Sequence, residues 1–345
     1  MPSSDLRAFV VRVVIVLALV ACAWLLWALS GLLLMVFGAV VVAVLLRALA
    51  SWVTRYTPLP DGMALGLVVV VVAVGFTALL WLFGSQLATE LGALQRTLPQ
   101  AWARFHDWVA AGPLGPALEE LTRQAPARVS NLAPRAGAFA LSITGGVANL
   151  FLVLAGAVYL AAQPQLYRRG LLLFPVQARA TMDDAARASG TALRLWLRGQ
   201  LLAMVVVGAL TGLGLWALGI PGALALGIIA GLLDFVPIVG PILAAIPAIL
   251  LGFTVSPQMA LATAALFVVV QQIEGNILLP LIQQRTVDLP PVLLLFSLFG
   301  IGTLLGPAGV LLAAPLTVVA FVLVKRLYVQ EALHTPTSIP GQKHD

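Results

Sequence analysis

LGIPGALALGIIAGLLDFVPIVGPILAAIPAILL, residues 218–251, carries one charge, Asp234, and four prolines in an otherwise apolar stretch. Proline lacks the backbone donor and crowds the preceding turn, so Pro237, Pro241 and Pro247 interrupt helical hydrogen bonding. Inside lipid no water repairs those bonds. Residues 222–253 are too few for two full spans of about 20 residues each, and too broken for one. The stretch therefore predicts a short or re-entrant helical hairpin. A carboxylate at mid-membrane depth adds a cost of roughly 2.5–3.5 kcal/mol. Both costs are borne together most readily where a solute or ion crosses, so this region is expected to be a transport core.

From Leu201 to Gln284 the only other charge is Glu274, in QQIEGN (271–276). Helical spacing puts Gln271, Glu274 and Leu278 on one face, with Gln272 and Asn276 on the adjoining one. The three amide-bearing residues have two readings, hydrogen bonding to neighbouring helices and contact with solute. Glu274 leans toward function, because a carboxylate at that depth has to be paired, hydrated or protonated. Either Glu274 or Asp234 is a candidate to bind and release a proton during transport. The pathway candidates are Asp234, Pro237, Gly240, Pro241, Gln271, Gln272, Glu274 and Asn276. Gly208/Gly212, Gly227/Gly231 and Gly302/Gly306 have the four-residue spacing of close helix contacts.

The whole chain agrees with this region. With 61% hydrophobic residues, 9% charged residues and a mean hydropathy of +1.06, it departs from soluble domains, where about 25% of residues are charged. Nothing alternates as barrel strands do. The expectation is an all-α polytopic integral membrane protein with about seven to eight membrane segments, including one or two broken or re-entrant helical hairpins. Val13–Leu46 is a charge-free run of 34 residues, about 51 Å as one helix and longer than the ~30 Å hydrocarbon core. Ser30-Gly31 therefore reads as a tight turn between two spans. Further spans are expected at Met63–Phe83, Ala138–Ala162, Leu201–Leu218 and Ala260–Leu279. A second broken region, 289–324, carries Gly306, Pro307 and Gly309 as its hairpin residues. Its Gly306-Pro307 and Pro315 compare with Gly240-Pro241 and Pro247, the pattern of an inverted repeat whose site lies where broken helices meet.

These elements divide the chain into six parts: an N-terminal three-span bundle (1–83), an extracytoplasmic amphipathic helical connection (84–137), a fourth span (138–162), a cytoplasmic helical connection (163–200) starting at the capping-box sequence Thr181-Met182-Asp183-Asp184, a transport core with broken hairpins (201–326), and a disordered cytoplasmic tail (327–345). Arg7, Arg12, Arg47, Arg55, the six arginines of 163–200 and Lys325-Arg326 place both termini in the cytoplasm. The membrane lipids are one partner, and a homo-oligomer is expected.

Several classes fall away. The net charge of +6 sits at span ends, with no basic patch interleaved by aromatics, so no nucleic acid is expected. The single cysteine, Cys22, excludes an intrachain disulfide and a cysteine metal cluster. Leu19–Cys22 resembles a lipoprotein cleavage box, but the apolar run continues through Trp24–Trp27, so residues 8–29 read as a membrane helix. His106, His334 and His344 lie in the outer connection and the tail, Asp234 has no second aspartate at its depth, and no P-loop is present. Neither an enzyme nor a cofactor or metal is expected.

Arg198-Gly199-Gln200, residues 218–251, QQIEGNILLPLI (271–282) and the Gly/Pro-rich apolar end together resemble the autoinducer-2 exporter (AI-2E) family of bacterial permeases. The resemblance is motif-level over 198–326. It implies an inner-membrane permease, an oligomer, with some members linked to autoinducer-2 export and others to sodium–proton antiport. Two departures mark this chain. Asp234 and Val236 stand where many members have Asn and Ile, and Asp288-Leu289-Pro290-Pro291 stands where many have an apolar residue followed by His-Pro. The leading expectation is gradient-driven export of a small polar organic solute. The alternatives are a cation–proton antiporter using Asp234 and Glu274, and a membrane scaffold without transport.

Overall fold

The computed structural model describes residues 3–75, 77–78, 149–165, 176–283, 289–335 and 337. Connection 84–137, the start of the span expected at 138–162, and the loop at Arg285 and Asp288 lie outside these residues, as do 338–345 of the tail. The helices are α1 (Ser3–Ala28), α2 (Ser30–Tyr56), α3 (Asp61–Gly75), α4 (Asn149–Ala162), α5 (Val176–Ala217), α6 (Ala223–Leu233), α7 (Val239–Val255), α8 (Pro257–Ile273) and α9 (Pro291–Leu323). α8 continues through a π-helical turn, Glu274–Leu278, to Gln283, and α9 continues as a π-helix, Val324–Ala332. Five of these stretches are long and apolar enough to cross a membrane, and four shorter apolar helices accompany them. The described residues contain no strand. The protein is a polytopic all-α membrane protein.

α5 is the axis on which the core is built. At one end Leu215 packs with Ile220, Ala223 and Leu226 at the start of α6 and with Ala248 and Leu251 of α7. Along its middle, Ala203 and Val207 pack on Val270 and Leu278 of α8. At the other end Ala192, Leu193, Trp196 and Leu197 meet Val41 of α2, Leu289, and Ala314, Val318 and Val322 of α9. Lipid supplies no hydrophobic drive between helices, so close van der Waals contact has to hold them. The α5–α6 glycines provide it. A β-carbon on Gly227 would lie 2.5 Å from the Gly212 Cα, and one on Gly231 2.5 Å from the Met204 carbonyl oxygen.

Both expected hairpins are present, and they point in opposite directions along α5. The first, α6–α7, starts beside Leu215 and has its tip at Asp234, whose carbonyl accepts a 2.7 Å hydrogen bond from Gln200 Nε2. The second is formed within α9, where Gly306 has φ 67 and ψ −155. Its two arms, 291–305 and 307–323, lie side by side: Thr317 Oγ1 donates to Ser297 Oγ at 2.8 Å, and a β-carbon on Gly302 would be 2.7 Å from Val310 Cγ2. The base of this hairpin is at the Trp196 end of α5, where Arg326 pairs with Asp184 at 3.3 Å.

Four boundaries differ from expectation. Ser30-Gly31 does not reverse the chain. Leu29 alone leaves the helix, and it keeps i→i−4 bonds on both sides, to Leu25 and from Leu33, each 2.9 Å. Serine and glycine weaken a helix without breaking it. α1 stands apart, with none of Val11–Ala28 buried; the N-terminal bundle consists of α2, α3 and α4, joined through Ala39, Ala43 and Leu46, Leu65 and Val68, and Ala157 and Ala161. The helix of the connection expected to be cytoplasmic does not stop at Gln200 and does not start at Thr181. α5 is helical from Val176 to Ala217, because nothing between those residues breaks a helix. Thr181 instead donates to Glu331 Oε1 at 3.4 Å. Finally, 327–332 is helical and not disordered, tied to α5 by that bond and by the Arg326–Asp184 pair.

Candidate functional site

The first hairpin turns in five residues, Asp234–Ile238. Asp234 N–H still reaches Ala230 O at 3.0 Å, Phe235 N–H reaches Leu232 O at 3.3 Å, and Val236 N–H reaches Leu233 O at 3.0 Å, so α6 tightens as it ends. Pro237 has no N–H to continue the series. The reversal falls on Ile238, at φ 70 and ψ −54, bridged by a 2.8 Å bond from Val239 N–H to Pro237 O. This is the rare γ-turn geometry that strains a residue with a β-carbon. For a β-branched side chain at positive φ the cost is of the order of 1–3 kcal/mol. Gly240 then lets α7 start directly against the end of α6: a β-carbon there would fall 1.9 Å from the Leu233 carbonyl oxygen.

At this turn the Asp234 side chain is completely buried, and among the described residues neither carboxyl oxygen has a hydrogen-bond partner. An unsatisfied buried polar group costs about 1–3 kcal/mol, more if charged. Glu274, 7% exposed, accepts a 3.0 Å hydrogen bond from Gln271 Nε2. The elements that carry the two carboxyls, the hairpin tip and the π-helical turn, both pack against α5. Gln200 holds the tip through the Asp234 carbonyl, and Leu278, one turn beyond Glu274, packs on Ala203 and Val207. Phe235 closes the tip from the other side, its ring 6.0 Å from that of Trp196 at 73°. Glu274 opens the π-helical turn, a local widening often found at functional sites.

The structure joins Glu274 to the exposed Gln271 and buries Asp234 at the hairpin tip, with Pro237 and Pro241 half-buried beside it in sequence. Gln272 and Asn276 bond to each other, Asn276 Nδ2 donating to Gln272 Oε1 at 2.8 Å, and both are exposed. Gly306, Pro307 and Gly309 form the tip of the other hairpin. Gly309 sits against Ile301 and Leu305 of its own hairpin, and Gly306 lies nine residues beyond Ser297, about 13 Å along the helix axis. The contact between the hairpins comes from the tip of the first, Phe235, against the cluster around Leu289 and Val318. Gln200 is the residue that a reading of charges misses. Its signal is its place as the last polar side chain before the apolar run of α5. No group of three His, Cys, Asp or Glu side chains that could hold a metal occurs among the described residues.

Comparison with known proteins completes the picture. The family model described as AI-2E family transporter matches residues 13–328. The AI-2 transport protein TqsA of Escherichia coli (strain K12) is 28% identical over 301 residues, covering 81% of this chain and 82% of TqsA. MT0215 of Mycobacterium tuberculosis, provisionally named a transport protein, is 26% identical over 88% of this chain and 84% of its own. YrrI of Bacillus subtilis, also provisionally named a transport protein, is 37% identical over 124 residues; the match takes in 36% of this chain and only 35% of YrrI.

Proposed function

The chain belongs to the AI-2E family of transporters, and from that premise we propose that it is a secondary permease of the bacterial inner membrane. It exports a small polar organic solute of the autoinducer-2 kind and draws on a proton gradient. The observation that supports this is the Asp234 carboxyl, fully buried at the break of a hairpin and without a hydrogen-bond partner among the described residues. A carboxyl so placed gains from taking up a proton or meeting a polar solute. A strained turn is a segment that can change conformation when it does.

In this reading Gln200 and Phe235 position the tip, Asp234 and Glu274 hold the exchanged proton, and the polar side chain of Gln271 keeps Glu274 turned inward. Both termini face the cytoplasm, and the protein works as a homo-oligomer in the lipid. The similarity to the AI-2 transport protein TqsA supports the class of solute. A second reading, cation–proton antiport, is favoured by the same pair, because the two oxygens of Asp234 are free to coordinate a cation. The test is flux in reconstituted liposomes with a panel of polar solutes and alkali cations, with and without a pH gradient. Solute accumulation driven by the gradient is the expected result. Cation movement coupled to protons without any solute selects the antiporter, and no flux of either kind rules out both readings.

A further inference from the structure

α5 carries a continuous stripe outside the site. Arg194, Arg198, Leu201, Val205, Gly212 and Trp216 follow at steps of four, three, four, seven and four residues, which at 3.6 residues per turn share one face. From Leu201 to Trp216 this face is one wall of a groove of about 970 Å³, whose other wall is Leu224, Ile228 and Leu232 of α6. Its floor is the glycine contact between the two helices. Arg198 to Trp216 is 18 residues, about 27 Å, close to the ~30 Å of a hydrocarbon core. The groove therefore runs through the apolar layer, with arginines at one edge and an exposed tryptophan at the other. Arg194 and Arg198 are exposed, and neither has an ion pair among the described residues.

We propose that this groove binds an anionic phospholipid, with its acyl chains between α5 and α6 and its phosphate held by Arg194 and Arg198. The apolar walls exclude a polar ligand, and the paired guanidinium groups at their end call for an anion. Arginine suits phosphate because its planar fork binds two oxygens at once. Basic pockets beside membrane helices recognise lipid headgroups in the same way. A two-fold contact between two copies through this face fits less well, because it places the same surface against itself and here would bring four arginines together.

The test uses the full-length protein in detergent and matched-chain phosphatidylglycerol and phosphatidylcholine, with binding followed by native mass spectrometry. Phosphatidylglycerol is expected to bind preferentially, and the double substitution Arg194→Gln/Arg198→Gln to weaken it about thirtyfold, from roughly one charge interaction per arginine. Val205→Trp, which fills the groove, is expected to weaken both lipids while leaving transport intact. Inorganic phosphate alone should not displace the lipid. Equal binding of the two lipids, lipid binding untouched by both sets of substitutions, displacement by phosphate, or a dimer that Val205→Trp dissociates would each overturn the proposal.

Discussion

Gly240→Ala is expected to prevent the first hairpin from closing, at a cost of roughly 3 kcal/mol or more, the upper end of overpacking effects. The added methyl group would sit 1.9 Å from the Leu233 carbonyl oxygen and 2.9 Å from the Asp234 backbone nitrogen. Those are backbone atoms, so no rotamer change relieves the clash; α7 has to move off α6. That in turn loosens the Leu215–Ala248–Leu251 cluster that fixes the base of the hairpin. Gly306 provides a control. Alanine there meets no atom within 4 Å but must adopt φ 67 and ψ −155, so its cost is strain alone, about 1–3 kcal/mol. Thermal unfolding in detergent should rank Gly240→Ala below Gly306→Ala, and Gly306→Ala below the parent protein. Equal melting of Gly240→Ala and parent would mean that the two helices do not meet as described.

Asp234→Asn is expected to change transport and stability in different directions. Flux driven by a pH gradient should fall to background, because the amide cannot carry the proton. Stability should stay the same or rise, since a neutral amide replaces an ionisable group that makes no hydrogen bond among the described residues, and burying a charge costs more than burying a neutral polar group. Active sites commonly trade stability for function in this way. If Asp234 only locked helices together, the substitution would lower the melting temperature and disturb assembly. Parallel flux and thermal-unfolding measurements on one preparation distinguish the two outcomes.

How much of this was legible in the sequence depends on the kind of signal. Proline and glycine act locally, so their crowding at 234–241 and 306–309 located both hairpin tips. The four-residue glycine spacing marked the small residues of the α5–α6 contact without saying which helices meet there, and at Gly306 it marked a hairpin tip with no atom within 4 Å of an added β-carbon. Asp234 and Glu274 stood out because charge inside an apolar run is costly wherever the fold puts it. Features that depend on tertiary partners did not show. The run from Val176 to Ala217 changes from polar to apolar at Leu201, and composition marks that as a boundary, yet the backbone continues through it as one helix. Ser30-Gly31 looked like a turn on length alone, but a length argument contains no force that reverses a chain. Ile238 gives no hint of its positive φ, which is imposed by Pro237 before it and by Gly240 packed on Leu233. Gln200 matters only because the tip of a hairpin 34 residues later reaches it.

We propose that Asp234, at the first hairpin, and Glu274, at the end of α8, couple transport to protons. Glu274→Gln in proteoliposomes puts that coupling to the test, with solute flux measured against an imposed pH gradient beside the parent protein. The predicted result is a correctly assembled protein whose flux is lost or no longer responds to the gradient. Undiminished flux with the parent's dependence on the gradient would contradict it.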